Sequence, residues 1–459
     1  MTDITKGNLK RSVLFLALPV VARMFLQMLV GVVDLAMVGR VGPAAISAVG
    51  MSNQVFILST ALLNAFTVGT TALVARMVGA RKPDQAKVYA RQSLVVTFVV
   101  GLVIGAVVFL GAEYIMRFML IASDNPDPDI IKFGAQYLQI VGAAEPLTFV
   151  MVNCYAILQG AGNMKTPLYI MGAANIFNVV FDYLLIFGIG FFPEMGVAGA
   201  ALATSGSKNL AAIIGLLYLF SKHSPIRLRL KESFRPQRER IMEIMRIGLP
   251  SAGEQLVRSS STFILSMLVA GLGNIAIAAN QIISKSMSMS FMPGIGFGHA
   301  ATTLVGQNLG AQQPERAEKG GYVACKMAAV FMGIVGLCFF FFSHQIAGFF
   351  TDDVAVQAAA GDNLKILAIS QPFLAYVMVM AGALRGAGDT TFVMLVTLIG
   401  TWGSRVFVAW FLGIFLGLGL RGVWIAMIID NLSRAVMMIA RYRAGKWKSI
   451  KVRSVSETA

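Results

Sequence analysis

Two aspartates stand where an apolar sequence offers them no water. Asp34 closes the run Val30-Gly31-Val32-Val33-Asp34, and Asp182 closes Asn178-Val179-Val180-Phe181-Asp182. An ionisable side chain inside a membrane span is costly and marks a functional position by default. Asn178 precedes Asp182 by four residues, about one helical turn, and so shares its face. Ala200 and Thr204 are spaced in the same way, and Tyr137 lies in a further apolar stretch. Carboxylate, amide and hydroxyl oxygens gathered at one depth make a nest for a hard cation. They suit a proton equally, because an apolar bundle disfavours the charged carboxylate and a neighbouring acid disfavours it further. The bland alternatives are that Asp34 lies near enough to the interface to be solvated, and that Asp182 is a structural partner of Asn or Tyr. Bond-making chemistry has no such support. His223, His299 and His344 are scattered, which argues against a metal site, and no nucleophile–base constellation is present, so the chain is not expected to be an enzyme.

The elements that carry these residues are membrane spans. Of the 459 residues, 57% are hydrophobic and 13% charged, where a soluble domain carries about a quarter charged residues. Apolar stretches such as 12–38, 88–111 and 324–342 are long enough to cross ~30 Å of hydrocarbon, and about twelve spans meet that length. The formal charge of +16 raises the question of nucleic acid, but its placement excludes that partner. Lys6, Lys10 and Arg11 precede the first span, and Arg81, Lys82 and Lys87 follow the second. The connector 222–246 holds Arg227, Arg229, Lys231, Arg235, Arg238 and Arg240, and the tail holds Arg441, Arg443, Lys446, Lys448, Lys451 and Arg453. The intervening loops carry Asp124, Asp127, Asp129, Asp352 and Asp353. Basic residues in alternate loops fit an even number of spans with both termini cytoplasmic. Anionic-lipid contact is a secondary role for the same charges. In this topology Asp34, near the outer end of span 1, and Asp182, past the middle of span 5, share the outer leaflet with Tyr137, Ala200 and Thr204.

The chain is also a duplication. Leu18-Pro19 recurs as Leu249-Pro250, Val41-Gly42 as Leu272-Gly273, and Val78-Gly79-Ala80 as Leu309-Gly310-Ala311, all at a shift of 231 residues. The register then resumes at a shift of 226, where Pro146 matches Pro372 and Gly160-Ala161-Gly162 matches Gly386-Ala387-Gly388. Two copies with an even number of spans enter from the same side, so they are parallel repeats about an axis along the membrane normal. The expected fold is an all-α polytopic membrane protein with about twelve transmembrane helices in two six-helix lobes related by that pseudo-twofold. The expected division is residues 1–222 for the first lobe, 223–243 for a basic cytoplasmic linker, 244–444 for the second lobe and 445–459 for a basic tail. Such pairs of bundles suit alternating access, the rocking of one half against the other. Pro19 and Pro250 should bend the first helix of each half, either as packing kinks or as hinges.

The second half lacks the acids, since Leu265 and Val408 occupy the positions equivalent to Asp34 and Asp182. It embeds Glu254 and Arg258 instead, an expected ion pair at i,i+4, together with Lys285 and Arg405. Arg23 and Lys208 in the first half either neutralise neighbours or line a cleft. Cys154, Cys325 and Cys338 have no ligand or disulfide spacing and read as small core residues. The first apolar stretch lacks a small-residue cleavage site and reads as a retained helix. The Gly-Ala-Gly runs follow no strand and precede no lysine-serine, so they are not phosphate loops. They allow close helix approach or a turn at the inner face. Gln27, Asn153, Met287 and Phe291 are candidates for the substrate path, the last two through an adaptable apolar wall.

Val33-Asp34-Leu35-Ala36-Met37-Val38-Gly39-Arg40, Gln159-Gly160-Ala161-Gly162-Asn163 with Thr166-Pro167, and Leu384-Arg385-Gly386-Ala387-Gly388-Asp389-Thr390 together resemble the multidrug and toxic compound extrusion (MATE) family. The resemblance covers nearly the whole chain and points to the prokaryotic branch related to the DNA-damage-inducible F proteins. It implies two six-helix lobes in a V and drug export coupled to inward H⁺ or Na⁺. It also implies a cation site in the amino lobe, at positions matched here by Asp34, Tyr137, Asn178, Asp182, the Ala200 carbonyl and Thr204, with Gln27 matching a polar residue of that lobe. Glu254 does not match the carboxyl-lobe acid of other branches. The function expected is a secondary antiporter exporting amphipathic, often cationic, organic compounds, with H⁺ or Na⁺ as coupling ion and no other cofactor. Its setting would be a bacterial or archaeal plasma (inner) membrane, multi-pass and monomeric. The alternative is a lipid-linked oligosaccharide flippase of the same superfamily, favoured by Arg23, Lys208, Arg258, Lys285 and Arg405.

Overall fold

A computed structural model describes residues 4–121, 127–229 and 231–450. Asp124, Lys451 and Arg453 lie outside the described residues, as does residues 451–459 of the tail. Among the described residues the chain is helical with no strand. Twelve long helices form: α1 Leu9–Gly39, α2 Pro43–Gly79, α3 Pro83–Met119, α4 Pro128–Gly160, α5 Lys165–Phe187, α6 Gly196–Phe220, α7 Arg238–Ala270, α8 Asn274–Gly310, α9 Pro314–Phe341, then, after the eight-residue α10 Ser343–Phe350, α11 Val354–Gly386, α12 Thr390–Phe415 and α13 Gly419–Arg443. Ten of the twelve are long and apolar enough to cross a membrane, α2 by its part Ser59–Gly79. The other two, α7 and α8, run to 33 and 37 residues but carry Glu254, Arg258, Lys285 and His299 among many serines.

The starts and stops of these helices repeat at the shifts seen in the sequence. Proline opens α2, α3, α4 and α9, where its missing N–H is not needed. Asp127 caps α4, accepting from the Asp129 amide at 2.9 Å, and its counterpart Asp353 caps α11, accepting from Ala355 and Val356 at 2.8 and 3.1 Å. Two non-glycine residues have positive φ among the described residues, Arg81 and Gln312, both at 56° and 231 positions apart. A strained turn conserved between the copies in this way is a fold-level signature of the duplication.

Large apolar side chains are exposed in stripes rather than singly. On α3 they are Val99, Val103, Val107, Leu110, Tyr114 and Phe118, and on α9 Val330, Ile334, Leu337 and Phe341. The spacing of three and four residues keeps each stripe on one helix face, and contiguous apolar surface of this extent needs a lipid neighbour. Cys338 belongs to the exposed surface of α9. The expectation of a core residue is corrected there, because the position faces outward among these lipid-contact residues.

The helices form two compact units. The first takes Ala22–Val74 and Lys82–Met245; the second takes the described part of Thr2–Val21, Ala75–Arg81 and Arg246–Ala459. The division differs from a cut at the duplication boundary in two ways. The inner ends of α1 and α2 group with the second unit, and residues 223–243 group with the first. Close backbone contact explains the α2 end. A Cβ on Gly79 would overlap the Gln307 carbonyl, and one on Gly310 would overlap the Arg76 carbonyl, so the last turns of α2 and α8 cross within the second unit. In α1 the change of unit falls between Val21 and Ala22, just past Pro19. The connector is tied to α3. Gln92 donates to the Arg235 carbonyl at 2.8 Å and accepts from the Gln237 amide at 2.7 Å, while Arg91 donates to the Ser233 carbonyl at 3.0 Å.

Candidate functional site

Within the first unit, an apolar cluster of Val38, Val49, Val141, Ile186, Val197 and Ala200 joins α1, α2, α4, α5 and α6 and fixes the depth of the polar residues among them. Tyr137 belongs to the same cluster and is buried. Against it the carboxyl groups of Asp34 from α1 and Asp182 from α5 meet each other, and Tyr137 lies in the field of both. Asn178, one turn before Asp182, lies beside it.

The geometry leaves a specific deficit. Asp182 is 1% exposed and Asn178 2%. Asp34 Oδ1, both oxygens of Asp182 and both ends of the Asn178 amide are buried with no hydrogen-bond partner. Ionised carboxylates only accept, so their meeting satisfies neither and adds repulsion outside water. One positive charge between them, a proton or a small cation, relieves both costs.

Ala200 is buried in the surrounding cluster, and Thr204 is half-buried one turn further along α6, its carbonyl taking the Ser207 hydroxyl at 2.8 Å. The structure thus draws Asp34, Tyr137, Asn178 and Asp182 together and puts Ala200 and Thr204 on the adjoining helix. One turn past Thr204, Lys208 lies within Coulombic reach of Asp34 and of Glu145, a buried acid of α4. Sequence reasoning missed Glu145. Its signal was available, an acid directly before Pro146 within an apolar span. Arg23 lies over the Tyr155 ring at 5.2 Å from its centroid.

The remaining candidates are dispersed. Gln27 is exposed on α1. Asn153 is fully buried and donates to the Ser93 hydroxyl of α3 at 3.0 Å. In the second unit, Met287 packs against the apolar core, Phe291 is half-buried and Lys285 is exposed. Pro19 and Pro250 lie inside helices that continue through them.

The second unit contains a separate network. Glu254 receives Arg258 at 2.9 Å, as the i,i+4 spacing led us to expect, and also Arg385 from the last turn of α11 at 2.6 Å. Arg405 of α12 bonds Asp430 of α13 through Nε at 2.8 Å, and Arg434 bonds the same carboxylate at 2.8 Å. α12 is π-helical over Ile399–Val406. There Gly400 admits Arg434 and Asp430 against the backbone, because a Cβ would collide with both. Asp430, Arg434 and their neighbour Asn431 were not singled out in the sequence.

Comparison with known proteins agrees with this architecture. The MatE family model matches residues 19–184 and again 250–411, two stretches that begin at the repeat-related prolines. The chain is similar to the probable multidrug resistance protein NorM of Thermotoga maritima, with 33% identity covering 96% of this chain and 94% of that protein. It is also similar to the multidrug resistance protein PmpM of Pseudomonas aeruginosa, with 28% identity covering 94% and 90%. Among solved structures, an outward-facing multidrug resistance MATE transporter of the MOP superfamily superposes with a TM-score of 0.88 at 26% identity, covering 96% of this chain and 98% of that one. With about seven-tenths of its length matched by two successive copies of one family model and helices built for a bilayer, the chain belongs to the MATE (MatE) family of multi-pass membrane transporters.

Proposed function

We propose that the protein is a secondary antiporter that exports amphipathic, often cationic, organic compounds in exchange for inward H⁺ or Na⁺, with Asp34 and Asp182 as the coupling pair. The observation that carries this reading is the meeting of two carboxylates, one fully buried, with three oxygens lacking any donor. A site in that condition gains from binding one positive charge and returns to strain when it releases it. Coupling follows if loading the pair favours one access state and unloading favours the other. Tyr137, Asn178, the Ala200 carbonyl and Thr204 complete the polar surround, and Pro19 and Pro250 serve as hinges of alternating access. Basic loops at every second connection support cytoplasmic termini in a prokaryotic plasma membrane.

The flippase alternative needs a strongly cationic cleft. Of the five cations that favoured it, Arg23 covers Tyr155, Lys208 is within Coulombic reach of Glu145 and Asp34, Lys285 is exposed, and Arg258 and Arg405 belong to the separate network of the second unit, so the five do not line one cleft. Export is the better reading. Cells producing Asp182→Asn at normal levels should lose export of toxic dyes; undiminished export would overturn the assignment of the pair.

A further inference from the structure

The two ion-pair groups of the second unit are joined and electrically unbalanced. Arg258 and Arg385 share Glu254, Arg405 and Arg434 share Asp430, and Arg434 lies in the field of Arg258 and of Glu254. Four guanidinium groups therefore face two carboxylates, leaving two positive charges in excess. Other acids of the second unit, Asp362, Asp389 and Glu318, are engaged by Arg421, Arg441 and Lys448. Burying excess charge is unfavourable unless a partner arrives.

The hydrogen-bond inventory leans the same way. Nε of Arg258, Nε of Arg385, Nε of Arg434 and Nδ2 of Asn431 are all buried with no acceptor, against one acceptor in the network without a donor, Asp430 Oδ1. Arg434 is 2% exposed and Asn431 fully buried. Unpaired buried donors are costly and call for an acceptor. The cluster is nonetheless open on one side, because the Arg258 side chain keeps 34% of its surface and Arg385 24%.

We infer that this arginine cluster is a binding site for a single oxyanion, a phosphate or phosphate-like headgroup, received by Arg258 and Arg385 and backed by the charge of Arg434. Guanidinium groups present paired donors that match such oxygens in both charge and spacing. An oxyanion supplies acceptors for the orphan N–H groups and neutralises the excess. The site lies entirely within the second unit, uses none of the coupling residues, and is read by binding rather than by transport.

The test uses the full chain in nanodiscs of neutral phosphatidylcholine. One arm titrates inorganic phosphate by calorimetry; the other counts bound phosphatidylglycerol by native mass spectrometry, so that a free anion and a lipid headgroup are told apart. Wild type should bind at least one probe, Arg258→Gln should weaken that binding about tenfold or more, and Arg258→Lys should recover part of it. Arg258→Gln leaves the Glu254–Arg385 pair in place. As a measurement needing no variant, the probe that binds should slow phenylglyoxal modification of Arg258 in wild type, read by peptide mass spectrometry. Failure of both probes to bind, equal binding by Arg258→Gln, or unslowed modification of Arg258 overturns the inference.

Discussion

Asp430→Asn is the substitution that most sharply separates a structural charge from a coupling charge. Asp430 is fully buried and receives Arg405 and Arg434, themselves 8% and 2% exposed. The amide keeps the shape of the side chain, so no cavity forms and the effect is electrostatic. It leaves two guanidinium groups side by side around one neutral oxygen. Breaking a buried pair in this way costs about 3–5 kcal/mol, a large share of the ~5–15 kcal/mol that holds a typical domain together. The control is Asp362→Asn, whose pair with Arg421 is 38% and 64% exposed and is worth at most about 1 kcal/mol. Heating the purified variants and following the loss of the monodisperse chromatographic peak gives apparent midpoints. Asp430→Asn should fall on the order of 10 °C below wild type, and Asp362→Asn should stay near it. A midpoint for Asp430→Asn indistinguishable from that of Asp362→Asn would refute the claim that Asp430 anchors the second unit.

Gly310→Ala should destabilise the protein by about 1–3 kcal/mol through overlap with the Arg76 carbonyl, whereas Gly172→Ala, with open space around its new methyl group, should be neutral or stabilising by about 0.5–1 kcal/mol; the same melting assay reads both. Gln92→Ala removes two of the three hydrogen bonds described between the connector and α3 and should speed limited proteolysis within residues 223–243, with no change in rate counting against the tether.

The sequence and the structure agree most closely where the signal is local or periodic. A carboxylate or amide among valines stands out at once, and Asp34, Asn178 and Asp182 were legible for that reason. The duplication was legible from its fixed shift, and it reappears in backbone detail at Arg81 and Gln312 and at the caps Asp127 and Asp353. Contacts between distant segments were not legible. Nothing near Gly79 announces that its backbone meets Gln307, so the grouping of the α2 end with the second unit escaped the sequence division. Asp430 escaped because it lies within one span of a basic tail, where an acid draws less notice than in the first half. Its partner Arg405 had therefore looked unattached. Glu145 escaped because its neighbour Pro146 was informative only as a marker of the repeat.

The central claim concerns one positive charge shared by Asp34 and Asp182, and proteoliposomes test it directly. Efflux of a fluorescent organic cation is followed under a proton gradient alone and under a sodium gradient alone, for wild type and for Asp34→Asn and Asp182→Asn. The account predicts that at least one gradient drives uphill movement in wild type and that neither drives it in the variants, although both still bind the dye. Gradient-driven concentration of the dye by either variant at the wild-type rate would contradict it.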